Sequence, residues 1–157
     1  VGFEARFIEL AGQVNGAMPH HVVDKITDAL NAHCKAVNGA EILVMGVAYK
    51  RDIDDVRESP ALDVIALLMK KGARVTYHDP FAPFIDGLHW PGAVDMSSVP
   101  LTPAAMAAAD CVVVLTDHRQ FDFKDVVKYA RLVVDTRHAI KTDHPHVFKL
   151  GAPVPKQ

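Results

Sequence analysis

The stretch GVAYKRDIDDVRESP, Gly46 to Pro60, follows the apolar run EILVM and leads into a helix-like segment. Lys50, Arg51 and Arg57 stand there beside Asp52, Asp54, Asp55 and Glu58. Strand, loop and helix in that order make the layout of a nucleotide-binding turn. The loop lacks the G-x-G-x-x-G spacing that lets a backbone wrap a pyrophosphate. An anion held here must therefore be met by side-chain charge. Lys50 has two readings: a solvated lysine, or a cation where a sheet presents a phosphate. Arg137, in DTRHAI after a later apolar run, has the same two. Asp79, in YHDP, stands where dinucleotide folds place a ribose-binding acid, although Asp-Pro also simply closes a strand and opens a turn. Asp55, Arg57 and Glu58 read equally as a site or as a local ion-pair and capping network. Asp52 and Asp54 resemble half a metal loop, but no third ligand follows at a metal spacing. His20-His21 and His144-x-His146 are isolated pairs, so no metal site is expected. Cys34, on an apolar helical stripe, and Cys111, inside an apolar strand, are expected to be inert core.

These side chains need elements to carry them. Up to about Asn38 the pattern is helical. Phe7, Leu10, Val14 and Met18 recur at spacings of three and four, and so do Val23, Ile26, Leu30, Cys34 and Val37. Gly16 and Pro19 lie between, so two helices are expected, or one long helix kinked near Pro19. Asn38-Gly39 is the expected stop. Such a helix either covers its own domain or forms a subunit or interdomain interface.

Beyond Asn38, apolar runs alternate with helices. EILVMGVAY reads as a buried strand. Ser59 caps a helix with Pro60 at its first position, an inner face of Leu62, Ile65, Ala66 and Met69, and an end at Gly72. ARVTYHDP is a second strand. A Pro-rich loop, a short strand near Val94 and the helix TPAAMAAAD follow. CVVVLTDH is a strand, DFKDVVKYA a helix, and RLVVDTRHAI the last strand. Continuous apolar strands separated by helices mean a parallel sheet covered on both faces. The expected fold is α/β, a doubly wound Rossmann-like parallel sheet preceded by one long amphipathic helix or two. Ligands of such sheets bind outside the carboxyl ends of the strands. Those ends carry Tyr49 and Lys50; His78 and Asp79; Thr116, Asp117 and His118; and Asp135, Thr136 and Arg137.

Composition bounds the rest. The 157 residues suit one domain, or one with a substantial extension, and half of them are hydrophobic. A formal charge of −2 argues against nucleic acid as a partner. The two cysteines show no CxxC or CxxH spacing, which fits a reducing compartment. No apolar run reaches membrane-spanning length, and the opening VGFEARFIEL does not read as a secretion leader.

Taken together, the motifs resemble the C-terminal, UDP-binding domain of the UDP-glucose/GDP-mannose dehydrogenase family. Its strand ending G-x-[AS]-[FY]-K is matched by Gly46, Ala48, Tyr49 and Lys50. Its D-D-x-R-x-S-P is matched by Asp54, Asp55, Arg57, Ser59 and Pro60, and its D-P by Asp79 and Pro80. DTRHAI resembles D-[GT]-R-N, with His138 in place of Asn. GFEARFIELAGQVNGAMPHHVV resembles the end of the family's central domain, in wording closest to the branch acting on UDP-N-acetylhexosamines. The resemblance covers essentially the whole chain.

It implies that residues 1–38 are a helical segment of the central dimerisation region and residues 39–157 a Rossmann-like UDP-sugar-binding domain. The reaction it implies is oxidation of the sugar C6 alcohol to a carboxylate in two NAD⁺-dependent steps. NAD and the catalytic Cys and Lys would belong to upstream parts, since neither Cys34 nor Cys111 lies in anything like the family's cysteine motif. No catalytic residue is therefore expected in this chain, which would be a C-terminal piece, inactive alone. By resemblance, Tyr49 and Lys50 face the UDP-sugar and Lys50 is the charge partner, while Asp54, Asp55 and Arg57 brace the loop. Arg137 reaches the same ligand, and Arg6 does so from the neighbouring subunit of a homodimer formed through the N-terminal helix. A cytoplasmic location without membrane contact is expected. Two rival readings stay open: an autonomous dinucleotide-binding domain, and a dimerisation module. The sugar, whether glucose, N-acetylglucosamine or N-acetylmannosamine, is open as well.

Overall fold

The structure is a computed structural model that describes the backbone of residues 2–156 and the side chains of residues 16–156. Helix α1, Gly2–Ala32, leads into strand β1, Glu41–Met45, helix α2, Pro60–Lys70, and strand β2, Arg74–His78. Two short strands follow, β3, Phe84–Ile85, and β4, Met96–Ser97, then helix α3, Pro103–Ala108. The chain continues with β5, Cys111–Val114, α4, Phe123–Tyr129, β6, Val133–Asp135, and β7, Val147–Lys149. The main sheet has the order β2-β1-β5-β6-β7 and every pair in it is parallel. Met45 pairs with both His78 and Val114, and Val114 with Asp135, so the carboxyl ends lie level.

Alternation along the strands divides the core. Ile42 and Val44 of β1 turn to one face, where Val23, Ile26 and Leu30 of α1 and Leu62, Ile65 and Leu68 of α2 cover them. Leu43 and Met45 turn to the other, against Met106 of α3 and Val126 of α4. Both faces are buried, which is why the strands read as unbroken apolar runs. Helix α2 starts as its residues dictate. The Ser59 hydroxyl accepts from the Ala61 amide at 3.3 Å, and Pro60 takes the position where an amide would have no partner. Its buried residues are Ala61, Leu62, Val64, Ile65 and Leu68. Ala66 and Met69, expected on that inner face, sit half-buried at the edge of the core.

Several expectations need correction. Of the two alternatives for the first part the single long helix is observed, α1 continuing through Pro19, but it ends at Ala32, well short of Asn38. Cys34 stops it. At φ +58° this residue is the left-handed cap of a Schellman turn, its amide bonding the Asn31 carbonyl at 3.0 Å while the Lys35 amide bonds the Leu30 carbonyl at 2.9 Å. Cys34 is accordingly exposed and not core, whereas Cys111 is fully buried, which pushes its thiol pKa up. Strand β1 ends at Met45, not Tyr49, because Gly46 turns the chain out at φ +81°. The strand expected near Val94 lies at Met96–Ser97 and belongs to an antiparallel ribbon with β3, apart from the main sheet. RLVVDTRHAI is not the last strand, since β7 adds a parallel edge beyond β6 without an intervening helix. Among the described residues no helix is long and apolar enough to cross a membrane.

Candidate functional site

The strand order makes a crevice. From β1 the chain passes through α2 to β2 on one side, and from β2 through α3 to β5 on the other. The two connections diverge at the carboxyl ends of β1 and β5, the switch point where sheets of this kind admit ligands. The loops after β1 and β5 are pressed together there. A Cβ on Gly46 would run into the Thr116 carbonyl, so both its backbone angle and its surroundings demand glycine.

The segment from Val47 to Asp52 is held almost residue by residue. The Val47 and Ala48 amides donate to Asp79 Oδ2 at 2.8 and 3.1 Å. The Thr116 hydroxyl donates to the Ala48 carbonyl at 2.7 Å, and the Tyr49 amide to the Asp55 carbonyl at 2.7 Å. Arg51 Nε donates to the Asp117 carbonyl at 2.9 Å, and its Nη2 pairs with the Asp117 carboxylate. The Asp52 amide donates to His118 Nδ1 at 2.8 Å. Among the described residues only Lys50 of this segment has neither backbone nor side chain bonded. Its ammonium lies 5.7 Å from the centre of the Tyr49 ring, and among the described residues no acid pairs with it. Tyr49 and Lys50 are thus an exposed tip between fixed points.

Asp79 is one of those points, and the ribose-binding reading falls here. Besides the two β1-loop amides, its carboxylate accepts from Phe81 N at 2.8 Å, Ala82 N at 3.2 Å and His118 Nε2 at 2.9 Å. It is only 2 % exposed and has no oxygen left for a ligand. Burial alone would push this carboxyl up. The bonds from His118 and from the Val47 and Phe81 amides outweigh burial and hold it below the ordinary carboxylate range. His118 is fully buried between Phe81, tilted against it at 4.9 Å, and Phe121, edge-on at 5.4 Å. Because its Nδ1 accepts from Asp52, the ring proton sits on Nε2 and points at Asp79. Nothing in the local sequence pointed to this bridge, since its partners lie far apart in the chain.

The neighbouring rim, after β6, is built locally. Fully buried Asp135 accepts from the Arg137 amide at 3.0 Å and the Ile140 amide at 2.9 Å. His138 stands at φ +52° and its Nε2 donates to the Leu150 carbonyl at 2.9 Å. Left-handed positions favour Asn, Asp and His, which accounts for His where the family motif has Asn. Arg137 is left half-exposed, its Nε 3.5 Å from Asp117 Oδ1. Asp55 and Arg57 form an exposed fork, with Nε at 3.1 Å and Nη2 at 3.2 Å, while Asp54 is exposed.

Tyr49, Lys50 and Arg137 are brought together on one open groove of about 1280 Å³, with Thr116 and Thr136 at its floor and Met18 and Pro19 at its side. Arg6 lies outside the residues whose side chains are described. Among the described residues no three His, Cys, Asp or Glu side chains gather as a metal site would require. The residues present do not fit NAD. The turn after β1 has no glycine fingerprint, and the acid after β2 is spent on backbone amides.

A doubly wound parallel sheet with an open groove at its switch point, lined by Lys50 and Arg137, defines a domain of the Rossmann-like class. Residues 43–142 match the family described as "UDP-glucose/GDP-mannose dehydrogenase family, UDP binding domain", and the chain belongs to that family. Among its relatives, the NDP-N-acetyl-D-galactosaminuronic acid dehydrogenase of Ralstonia nicotianae is 33% identical over 135 residues, 85% of this chain and 30% of that protein. The UDP-N-acetyl-D-mannosamine dehydrogenase of Salmonella typhimurium is 37% identical over 141 residues, 85% of this chain and 32% of that protein. The NDP-N-acetyl-D-galactosaminuronic acid dehydrogenase structure from Methanosarcina mazei superposes with a TM-score of 0.70 at 26% identity, over 90% of this chain and 31% of that one. The UDP-D-ManNAc dehydrogenase from Pyrococcus horikoshii shares the fold, with a TM-score of 0.74 over 92% of this chain and 33% of that one. The chain therefore spans about a third of the length of the relatives it matches.

Proposed function

We propose that this chain is the nucleotide-sugar-binding part of an NAD-dependent UDP-sugar 6-dehydrogenase of the branch acting on UDP-N-acetylhexosamines. In that enzyme the sugar C6 alcohol is oxidised to the carboxylate in two steps. The relatives named for UDP-N-acetyl-D-mannosamine and NDP-N-acetyl-D-galactosaminuronic acid support the sugar class. The observation that carries the binding role is Lys50, among the described residues the one unbonded position in a segment otherwise held throughout. Tyr49 and Lys50 face the UDP-sugar, with Lys50 as its charge partner, and Arg137 offers a planar fork from the next rim loop. Residues 1–38 belong to the central dimerising region and 39–157 to the UDP-sugar domain, and Arg6 reaches the neighbouring subunit's ligand. NAD and the catalytic residues are supplied by a domain outside this chain, and the enzyme is cytoplasmic. Titration calorimetry of the chain with UDP and with NAD⁺ tests the reading. Heat with UDP and none with NAD⁺ is the expected result; binding of NAD⁺ alone, or of neither, overturns it.

A further inference from the structure

Asp117 is an acid where an anion is to be bound. It lies in the loop after β5, 8% exposed, directly after Leu115 and Thr116 of the groove lining and against the Arg137 side chain. A carboxylate this near the guanidinium proposed to meet a phosphate would repel that ligand, so its presence needs another reason. Its two oxygens are divided. Oδ2 is occupied by Arg51, which also donates Nε to the Asp117 carbonyl at 2.9 Å. Oδ1 faces Arg137 Nε at 3.5 Å. Burial pushes the Asp117 carboxyl up, but the Arg51 hydrogen bond, its own amide and the charges of Arg51 and Arg137 hold it below the ordinary range, so the acid stays ionised at neutral pH.

The Arg137 backbone is already fixed through its amide on Asp135 and the turn at His138. What remains free is its long side chain, whose rotamer entropy is lost when it binds. Contact through Nε alone leaves both terminal nitrogens for a ligand. We infer that Asp117 is a positioning residue, which aims the Arg137 guanidinium into the crevice while Arg51 neutralises its other oxygen. This rests on the UDP-binding reading given above and names the device that makes Arg137 effective.

Charge and position predict opposite signs. If Asp117 acted only as a negative charge, Asp117→Asn would tighten UDP binding. If it aims Arg137, Asp117→Asn weakens UDP binding by about tenfold, the scale of one hydrogen bond to a charged group. The effect should vanish in an Arg137→Ala background, because there is nothing left to aim. Asp117→Glu keeps the charge and displaces it, so it should weaken binding too, and it serves should Asp117→Asn fail to fold. Calorimetry with UDP on the chain and these variants reads all of this. Tighter or unchanged binding in Asp117→Asn, or an equal loss in the Arg137→Ala background, overturns the inference alone. Absence of UDP binding by the unsubstituted chain overturns the functional reading and this inference with it.

Discussion

Two rim loops present a cation to the same crevice, and they are held in opposite ways. The loop after β1, which carries Lys50, is fixed from outside by Asp79 from the β2 end and by Thr116, Asp117 and His118 from the β5 end. The loop after β6, which carries Arg137, is fixed mostly by its own Asp135, two residues before the arginine. Long-range bracing ties the position of Lys50 to the packing of three strands. Local bracing carries most of the Arg137 backbone, with Thr136 on the Val114 carbonyl and His138 on the Leu150 carbonyl as its outside ties. The first arrangement couples ligand geometry to several strands at once, and the second does so to a lesser degree.

Removing the outside brace should have the largest effect. Asp79→Ala leaves four amides and the His118 N–H without their buried acceptor. We expect a loss of about 3–5 kcal/mol in urea or thermal unfolding, the scale of a broken buried pair. The same carboxylate predicts an acid limb. Its pKa in the folded chain is depressed, as is that of Asp117. The unfolded chain then binds more protons at acidic pH, so stability rises with pH in that window. The contribution is fully present above the ordinary carboxylate value of about 3.9 and is lost as pH falls through the lowered folded values. Asp79→Ala should flatten this limb. An unfolding midpoint equal to that of the unsubstituted chain, with the limb unaltered, would break the contrast between the loops.

How much of this could be seen in the sequence follows the same division. Apolar runs in β1 and β5 announce strands because both of their faces are buried. Ser59-Pro60 announces a helix start because capping is a contact between residues two apart. Lys50, Tyr49 and Arg137 are legible as rim residues of one groove because position after a strand is itself local information. Asp79 was placed correctly at a strand end, yet its partners could not be foreseen, for Val47 and His118 lie 32 and 39 residues away. Strand β7 escaped because three residues at a sheet edge give too short a pattern. Cys34 misled because an apolar residue at helical spacing also happens to stand where the helix unwinds.

The exposed tip should respond in binding only. Lys50→Ala removes a side chain that touches no brace, so unfolding should not change. UDP affinity should fall by about tenfold to a hundredfold, the equivalent of roughly 1.5–3 kcal/mol. Arg137→Lys should not restore a forked contact in full. Unchanged affinity in Lys50→Ala would take Lys50 out of the site.

On the locally braced loop, Asp135→Asn keeps one acceptor oxygen but turns an amide group toward a backbone N–H. A cost of about 1–3 kcal/mol in unfolding is expected, one unsatisfied buried donor. The effect should stay on its own loop. Amide exchange at Ile140 should speed up while the Asp52 amide, bonded to His118, stays protected. Equal loss of protection at both would show that the loops are coupled after all.

The smallest effect is expected at His138. The position requires φ near +52°, which Asn and Asp adopt about as readily as His. His138→Asn therefore keeps the turn and gives up the bond from Nε2 to the Leu150 carbonyl, which is exposed and competes with water. The two terms nearly offset, and the change in unfolding free energy should lie within about 0.5 kcal/mol. His138→Val separates backbone from side chain. A β-branched residue resists a left-handed angle, at a cost of order 1–3 kcal/mol. Valine should therefore be clearly worse than asparagine, and UDP affinity should follow the same order through the Arg137 backbone. If asparagine and valine destabilise alike, it is the Leu150 bond and not the backbone angle that holds this end of the crevice.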